Sequence, residues 1–198
     1  MSLANQSDHY LSQEDYLANE LKSDIKHELI QGQAYAMAGA SKNHERIAVN
    51  IIRVLANQLQ EKKLPCDIFS SDMKIKAQSD FFYPDLSITC EPDDKESEFF
   101  INTPVIIAEV LSQSTRKKDK GLKKLAYFNI PTLKEYVLIE QDYCEIEVFR
   151  QSDSWASSFY SLGDTIQFES IDVTLSVEDS YYRVENEDMS LFINSHSQ

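Results

Sequence analysis

The chain has 198 residues, of which 42% are hydrophobic and 26% are charged. This length and balance are typical of one globular domain with a full core, and no apolar run approaches the ~20 residues of a membrane-spanning helix. The formal net charge is −14. A plain DNA-binding module is usually basic, so this charge disfavours contact with nucleic acid, and a bound metal ion can offset it by supplying local positive charge. For most of the acidic residues the plainer interpretation is that they aid solubility.

The cysteines and the start of the chain bear on the cellular compartment. Cys66, Cys90 and Cys144 are odd in number and form no CxxC pair. That pattern argues against a disulfide framework and against a thiolate zinc site. No basic and then apolar leader opens the chain. The sequence therefore predicts a protein of the reducing cytoplasm.

The N-terminal part predicts a short helix and a hairpin. Residues 1–11 are polar and expected to be loose, and Ser12 is a candidate N-cap. Residues 26–30 and 33–37 then flank a Gln-Gly pair, which is a hairpin signal. Ser41 is expected to cap a long amphipathic helix, with this apolar stripe: Ile47, Ala48, Ile51, Ile52, Leu55 and Leu59.

Three strand candidates follow the long helix. Residues 68–75 form the first, and Asp80 is expected to make a turn after it. Residues 83–90 alternate with period two, which places Asp85 on the polar face. An acidic loop over 91–98 leads to residues 105–111, a run that is apolar except at one position and is typical of a strand buried on both faces.

The remaining chain predicts a helix and further strands. A basic helix precedes a hairpin over 134–140 and 144–150, and weaker strand signals follow at 155–162, 166–168 and 173–175. Residues 185–198 are polar and predict a mobile tail. The fold class is therefore mixed α/β, a single domain over 1–198, with a core in the order helix, three strands, helix, strand. The hairpin and the C-terminal strands are additions to that core.

Glu109 is the one charged residue of the buried strand. An ionised carboxylate there costs several kcal/mol, as an order of magnitude, unless a cation or hydrogen-bond donors meet it. The next segment, residues 116–124, carries six Lys or Arg among nine residues. In a helix, Lys123 falls at the edge of an inward stripe of Leu122, Leu125 and Ala126, where it can reach Glu109. Asp119 lies at the i−4 position, which would orient Lys123.

On the same helical projection, the other lysines Lys117, Lys120 and Lys124 point toward water. The sequence therefore predicts one buried carboxylate that is paired with one half-buried lysine.

Several motifs together resemble the Uma-type restriction endonuclease family, which is assigned to the PD-(D/E)XK nuclease superfamily. The resemblance covers roughly residues 16–182 and is carried by HELIQGQAYAMAGASKNHERIAVNI, SSDMKIK, YPDLSITC, IAEVLSQSTRKKDKGLKKLAYFNIPTLKEYVLIE and IEVFR. It implies a restriction-endonuclease-like core in α-β-β-β-α-β order with a mixed central sheet, which is also the order read from the periodicity.

The resemblance also implies catalytic roles. Asp85 would be the first metal-binding aspartate and Glu109 the second acidic ligand, both for Mg²⁺ or Mn²⁺. The superfamily usually places a lysine two residues after the second acid, where this chain has Leu111. The family pattern moves that lysine to the following helix, in a D-x-x-x-K-x-x-x-Y motif that here is Asp119, Lys123 and Tyr127.

Five further residues are candidates for supporting roles: Asp72, Arg116, Lys120, Glu28 and His44. Arg116 and Lys120 would hold flanking phosphates, and Glu28 and His44 match the family pattern. Plainer readings stay open. Asp85 is also a common turn residue, Lys123 a common solvated lysine and Tyr127 a packing residue. Asp72 fits a surface strand end, Glu28 an ordinary hairpin position and His44 a structural histidine.

The predicted function is metal-dependent hydrolysis of DNA phosphodiester bonds by an endonuclease. Two carboxylates can hold Mg²⁺, and a lysine can orient or deprotonate water or meet charge in the transition state. DNA is the expected partner, through weak, metal-assisted contact. No membrane partner is expected, and a homodimer is left open. Two alternatives remain: a catalytically inactive nuclease-fold binding or regulatory module, and a metal-dependent hydrolase of another phosphate ester.

Overall fold

A computed structural model describes residues 10–90 and 98–196. Most of the predicted loose N terminus and acidic loop lies outside the described residues. The helices are α1 (Gln13–Glu20), α2 (Lys42–Glu61), α3 (Arg116–Lys118), a π-helix (Asp119–Lys123), α4 (Lys124–Phe128), α5 (Val177–Ser180) and α6 (Glu187–His196), with a 3-10 turn at Gln151–Asp153. No helix within these residues is long and apolar enough to span a membrane.

The strands within the described residues form three sheets. In chain order they are β1 (His27–Ile30), β2 (Gln33–Ala36), β3 (Asp67–Ser70), β4 (Lys74–Ala77), β5 (Asp80–Phe82), β6 (Leu86–Thr89), β7 (Phe100–Ile101), β8 (Pro104–Leu111), β9 (Glu135–Glu140), β10 (Glu145–Arg150), β11 (Ser157–Ser161), β12 (Thr165–Phe168) and β13 (Val173–Ser176). Their orders are β11-β10-β9-β8-β6-β3, β2-β1-β5-β4-β7 and β12-β13.

The six-stranded sheet is mixed, as predicted. Strands β8 and β9 pair in parallel, and the other neighbours in this sheet pair antiparallel. A parallel pair needs a crossover connection. The segment over 116–128, the basic helix, supplies that connection between β8 and β9.

The predicted N-terminal elements form. The Ser12 hydroxyl accepts a hydrogen bond from the Asp15 amide, and the Ser41 hydroxyl caps α2 by accepting from the His44 amide, both at 3.1 Å. β1 and β2 pair through a two-residue turn in which Gln31 and Gly32 have φ of 51° and 77°. Two positive φ angles are typical of the type I′ turn, whose twist suits a hairpin.

The two faces of β8 pack against different layers. Its residues Ile106, Ala108 and Val110 belong to the core cluster that also contains the buried stripe of α2. Ile107 and Leu111 belong to a second cluster, which contains Tyr127 and Tyr136. Because side chains alternate along a strand, Glu109 faces this second layer. The layer includes β4, β5 and the basic helix, and the candidate site lies within it.

The basic helix differs from its prediction. A π-helical turn replaces regular α-helix over Asp119–Lys123. Leu122 and Leu125 were expected to face inward, and that prediction is wrong: they are 37% and 65% exposed. The wider π turn changes the angular phase of the helix. The buried positions belong instead to Asp119, Lys123 and Tyr127.

Two strand predictions need correction. Residues 68–75 do not form one strand, because the chain turns at residues 71–73 and passes from β3 to β4, which belong to different sheets. Asp80 begins β5 instead of making the turn, which lies just before it at Gln78, with φ of 57°. The predicted mobile tail over 185–198 also differs, since it contains α6.

The cysteine prediction is wrong as well. Cys66 and Cys90 form a disulfide with their Cα atoms 4.0 Å apart, and Cys144 is free and buried. Asp67 pairs with Thr89 across β3 and β6. Cys66 precedes Asp67 and Cys90 follows Thr89, so the two cysteines lie opposite one another at the next position of this antiparallel pair. The spacing of the cysteines in the sequence alone did not reveal this proximity.

Candidate active site

Strands β6 and β8 bring Asp85 and Glu109 to the same place. The two strands are antiparallel neighbours, with Leu86 opposite Ala108. Asp85 is the residue before Leu86, and Glu109 is the residue after Ala108, so the next position along the ladder places them opposite one another. Opposed residues of an antiparallel pair project from the same face. Both candidate ligands therefore lie on one face, at one end of the strand pair.

Glu109 is buried and meets two donors from the basic helix. It is 3% exposed. Its Oε1 atom accepts hydrogen bonds from Lys123 Nζ and from the Tyr127 hydroxyl, both at 3.0 Å. The predicted pairing of Glu109 with Lys123 is thus present in the structure. Tyr127, which had a plain packing interpretation, contacts the carboxylate as well.

Lys123 is surrounded by carboxylates. Its Nζ atom lies 2.7 Å from Glu28 Oε1, 3.0 Å from Glu109 Oε1 and 3.5 Å from Asp119 Oδ1. The i, i+4 pairing with Asp119 is present, although 3.5 Å makes it an electrostatic contact more than a hydrogen bond. Glu28 comes from β1, so Lys123 connects the five-stranded sheet to the six-stranded one.

Burial and charge shift the pKa values of this cluster. Burial raises the pKa of Glu109 well above its usual range; Lys123 opposes this shift, and the nearby acids Asp119, Asp85 and Glu28 add to it. Burial by itself would lower the pKa of Lys123, but Glu109, Glu28 and Asp119 together raise it above its usual value. Burial also raises the pKa of Asp119. Lys123 therefore stays charged, and Glu109, Glu28 and Asp119 share its ammonium group.

Asp85 is oriented by β8 and by α2. Its Oδ2 atom accepts a hydrogen bond from the Val110 amide at 2.7 Å and lies 3.2 Å from His44 Nε2. Burial disfavours the imidazolium form of His44, yet the hydrogen bond and charge of Asp85, with Glu45, outweigh burial and raise its pKa. His44, which had a structural alternative, lies at the candidate site.

The donor set fits a hard divalent cation. Among residues 10–90 and 98–196, no three His, Cys, Asp or Glu side chains form a ready-made metal cluster. Mg²⁺ is commonly held by only one or two carboxylates, with water and substrate phosphate as its other ligands. The contacts of Asp85 and Glu109 within the described chain use Oδ2 and Oε1. Each carboxylate thus has a second oxygen that those contacts do not use.

Two predicted phosphate contacts have other partners. Arg116 lies 2.5 Å from Glu140 Oε2 and 3.2 Å from Asp142 Oδ2, and Lys120 lies 3.0 Å from Glu140 Oε1. Both cations therefore attach the basic helix to the end of β9. Asp72 is outside the site: its side chain is 80% exposed and pairs with Lys26.

Sequence reasoning missed Lys118 and gave too little weight to Glu28. Lys118 Nζ donates to Glu28 Oε2 at 3.0 Å, and the Tyr83 amide approaches Glu28 Oε1 at 3.4 Å. Glu28 is 3% exposed. A usable signal was present, because Glu28 is a charged residue beside two apolar residues in a short strand, which is the same reasoning that identified Glu109.

Comparisons with known proteins agree with the predicted family. The model of the Uma2 family, described as "Putative restriction endonuclease", matches residues 13–178. Two curated relatives come from Synechocystis sp. Uncharacterized protein slr1290 is 37% identical over 175 residues, covering 86% of this chain and 91% of the relative. Uncharacterized protein sll1609 is 36% identical over 145 residues, covering 71% and 81%.

A solved structure shows the same fold. The crystal structure of a "putative nuclease belonging to DUF820" from Anabaena variabilis superposes with a TM-score of 0.69 at 16% sequence identity. The match covers 86% of this chain and 97% of that chain. The predicted mixed α/β class is confirmed.

Proposed function

The chain belongs to the Uma2 family, and from that premise we propose that it is a Mg²⁺- or Mn²⁺-dependent endonuclease that hydrolyses DNA phosphodiester bonds. The observation that carries the proposal is the convergence of Asp85, Glu109 and Lys123 at one end of the β6–β8 pair. A buried carboxylate with a raised pKa, such as Glu109, is typical of catalytic and metal sites.

Asp85 and Glu109 are the proposed metal ligands. When bound, the ion supplies positive charge to the phosphate and lowers the pKa of its water. The Val110 amide and His44 hold the Asp85 carboxylate in place. Lys123 and Tyr127 fix Glu109 through its other oxygen. Both ligands are thus oriented before substrate arrives, which reduces the reorganisation needed during the reaction.

Lys123 is the proposed catalytic lysine. Its ammonium group is held by carboxylates from β1, β8 and the basic helix, so its position is fixed from three elements. A phosphate that enters beside Glu109 would compete with these carboxylates for the ammonium hydrogens. Lys123 would then meet the charge that develops on the phosphate oxygens. Because the surrounding carboxylates raise the pKa of Lys123, we assign it the role of a charged donor and not that of a general base.

A cleavage assay with matched variants tests the proposal. We expect the wild-type protein to cut plasmid or single-stranded DNA in Mg²⁺ or Mn²⁺ and to lose this activity in EDTA. Asp85→Asn keeps the size of the side chain and removes its charge, so we expect cleavage to fall by at least ~100-fold. Asp72→Asn, at the exposed aspartate outside the site, should leave cleavage unchanged.

The outcomes separate the proposal from its alternatives. Cleavage that survives Asp85→Asn would contradict the assignment of the metal ligand. Metal-dependent DNA binding without cleavage by the wild-type protein would favour a catalytically inactive binding or regulatory module. Hydrolysis of a small phosphate ester with no action on DNA would favour the phosphoesterase alternative.

A further inference from the structure

The outer strand of the N-terminal hairpin lies beside the candidate site. β2 is at the edge of the five-stranded sheet, and all four of its residues are exposed. Tyr35 is directly opposite Glu28, and Gln33 is opposite Ile30. Opposed residues share a face, so Tyr35 projects from the face that carries Glu28. Tyr35 is 41% exposed and stands at the margin of the site.

Lys118 joins this ring to the carboxylate cluster. Its Nζ atom donates to Glu28 Oε2 at 3.0 Å and lies 5.5 Å from the centroid of the Tyr35 ring. The Tyr35 hydroxyl donates to Gln33 Oε1 at 2.9 Å, which helps to fix the orientation of the ring. The Lys118 side chain is 35% exposed, so part of it reaches solvent. An exposed aromatic ring and a cation are thus adjacent, and Glu28 links Lys118 to Lys123.

The Tyr35 ring and the Lys118 ammonium group together suit the binding of one nucleotide. A base stacks on an aromatic face, and a phosphate meets an ammonium group. A base offers its face only when it is unpaired and unstacked, because the neighbouring pairs cover both faces in a duplex. The chain carries a net charge of −14, so attraction to the phosphate backbone alone is weak, and stacking has more influence on binding.

We propose that Tyr35 and Lys118 form a stacking subsite for an unpaired nucleotide beside the scissile phosphate. The preferred substrate is then single-stranded DNA, or the single-stranded part of a branched DNA. This inference rests on the proposed nuclease function and narrows its substrate class.

Binding without cleavage tests the subsite. The full chain is titrated in EDTA, by fluorescence anisotropy, with three labelled probes: a mixed-sequence single strand, the same strand with abasic residues, and the matching duplex. The two single strands carry the same phosphates, so the difference between them reports the bases. We expect wild-type protein to bind the base-containing strand about tenfold more tightly than the abasic strand or the duplex.

Three variants locate the effect. Tyr35→Ala should bind the intact and the abasic strand equally, whereas Tyr35→Phe keeps the ring and should keep the preference of about tenfold. Phe159→Ala removes a 58% exposed aromatic ring on β11, at the far edge of the other sheet, and should change none of the three affinities.

Four results would each overturn the proposed subsite. The first two are equal wild-type affinity for the intact and abasic strands, and an equal loss of affinity for both strands in Tyr35→Ala. The others are duplex binding as tight as single-strand binding, and tighter binding of an RNA strand of the same sequence.

Failure of the subsite and failure of the proposed function give different results. Cleavage of DNA without base-dependent binding removes only the subsite, and base-dependent binding without cleavage in Mg²⁺ or Mn²⁺ removes only the nuclease assignment.

Discussion

Two ion clusters contact the basic helix, and they differ in charge balance. At the end of β9, two cations meet two carboxylates: Arg116 lies 2.5 Å from Glu140 and 3.2 Å from Asp142, and Lys120 lies 3.0 Å from Glu140. Beside β8, the single buried ammonium group of Lys123 faces three carboxylates within 3.5 Å. Even with Lys118 beside Glu28, the second cluster keeps an excess of negative charge, to which Asp85 adds.

The difference in charge balance distinguishes a structural contact from a candidate active site. Ion pairs whose charges are matched hold one element to another, and the Glu140 cluster holds the basic helix to β9. Buried carboxylates in excess of their cations are costly to keep ionised. A fold retains such an arrangement where a further cation or a charged reactant is to be bound. The Glu140 cluster is therefore structural, and the Lys123 cluster is the candidate site.

Removal of the Lys123 ammonium group should have the largest effect. Lys123→Met keeps the length of the side chain and leaves Glu28, Glu109 and Asp119 without their shared cation. Loss of one partner from a buried ion pair typically destabilises a protein by about 3–5 kcal/mol. Urea denaturation in EDTA would measure this loss, and cleavage in Mg²⁺ should disappear.

The matched control for that variant is Lys117→Met, at an exposed position of the same helix. We expect its stability to change by less than about 0.5 kcal/mol, with cleavage retained. If both variants lost stability and activity equally, the overall charge of the helix would matter more than the buried ammonium group, and the comparison of the two clusters would fail.

Much of the fold was predictable from local pattern. The cap at Ser41, the hairpin turn at Gln31 and Gly32 and the doubly buried strand β8 each follow from a short stretch of sequence, and each is present. The inward face of the basic helix was not predictable. A projection at 100° per residue assumes a regular α-helix, and the π turn over Asp119–Lys123 breaks that assumption.

The contacts of the candidate site were predictable where burial conflicts with charge. Glu109 requires a cation because its strand is buried, and this reasoning led to Lys123. The role of Glu28 depends on the packing of β1 against the basic helix, which no local pattern reports. Arg116 shows the converse error: it suits a phosphate by type, but Glu140, 24 residues later, binds it instead.

Neutralisation of one carboxylate in each cluster should give opposite results. Burial raises the pKa of Glu109, so its ionised form destabilises the folded state as pH rises toward neutrality. Glu109→Gln removes that charge, and in EDTA at neutral pH we expect it to be at least as stable as wild type. Glu140→Gln leaves Arg116 and Lys120 without their shared partner, and we expect a loss of about 1–3 kcal/mol.

Added Mg²⁺ should also distinguish Glu109→Gln from Glu140→Gln by its effect on stability. Mg²⁺ at ten times its dissociation constant should stabilise wild-type protein by about 1.4 kcal/mol, because it binds the native state and hardly the unfolded chain. Calorimetric melts should show this gain in Glu140→Gln and not in Glu109→Gln. A Glu109→Gln protein that is less stable in EDTA and gains normally from Mg²⁺ would show that Glu109 is a structural hydrogen-bond partner.

The smallest expected effect concerns His44, at the edge of the carboxylate-rich cluster. Asp85 raises the pKa of His44 above its ordinary 6.5, against the opposing influence of burial. A histidine with a raised pKa in the folded state contributes its stability in full below its unfolded pKa and loses it as pH rises through the folded pKa. His44→Gln should therefore cost about 1 kcal/mol at pH values below about 6 and much less above about pH 9. Urea denaturation in EDTA across this range would measure the difference.

In an Asp85→Asn background the pH dependence of that cost should disappear, because the carboxylate that favours the imidazolium form is gone. A cost that stayed constant with pH would mean that His44 contributes through packing alone.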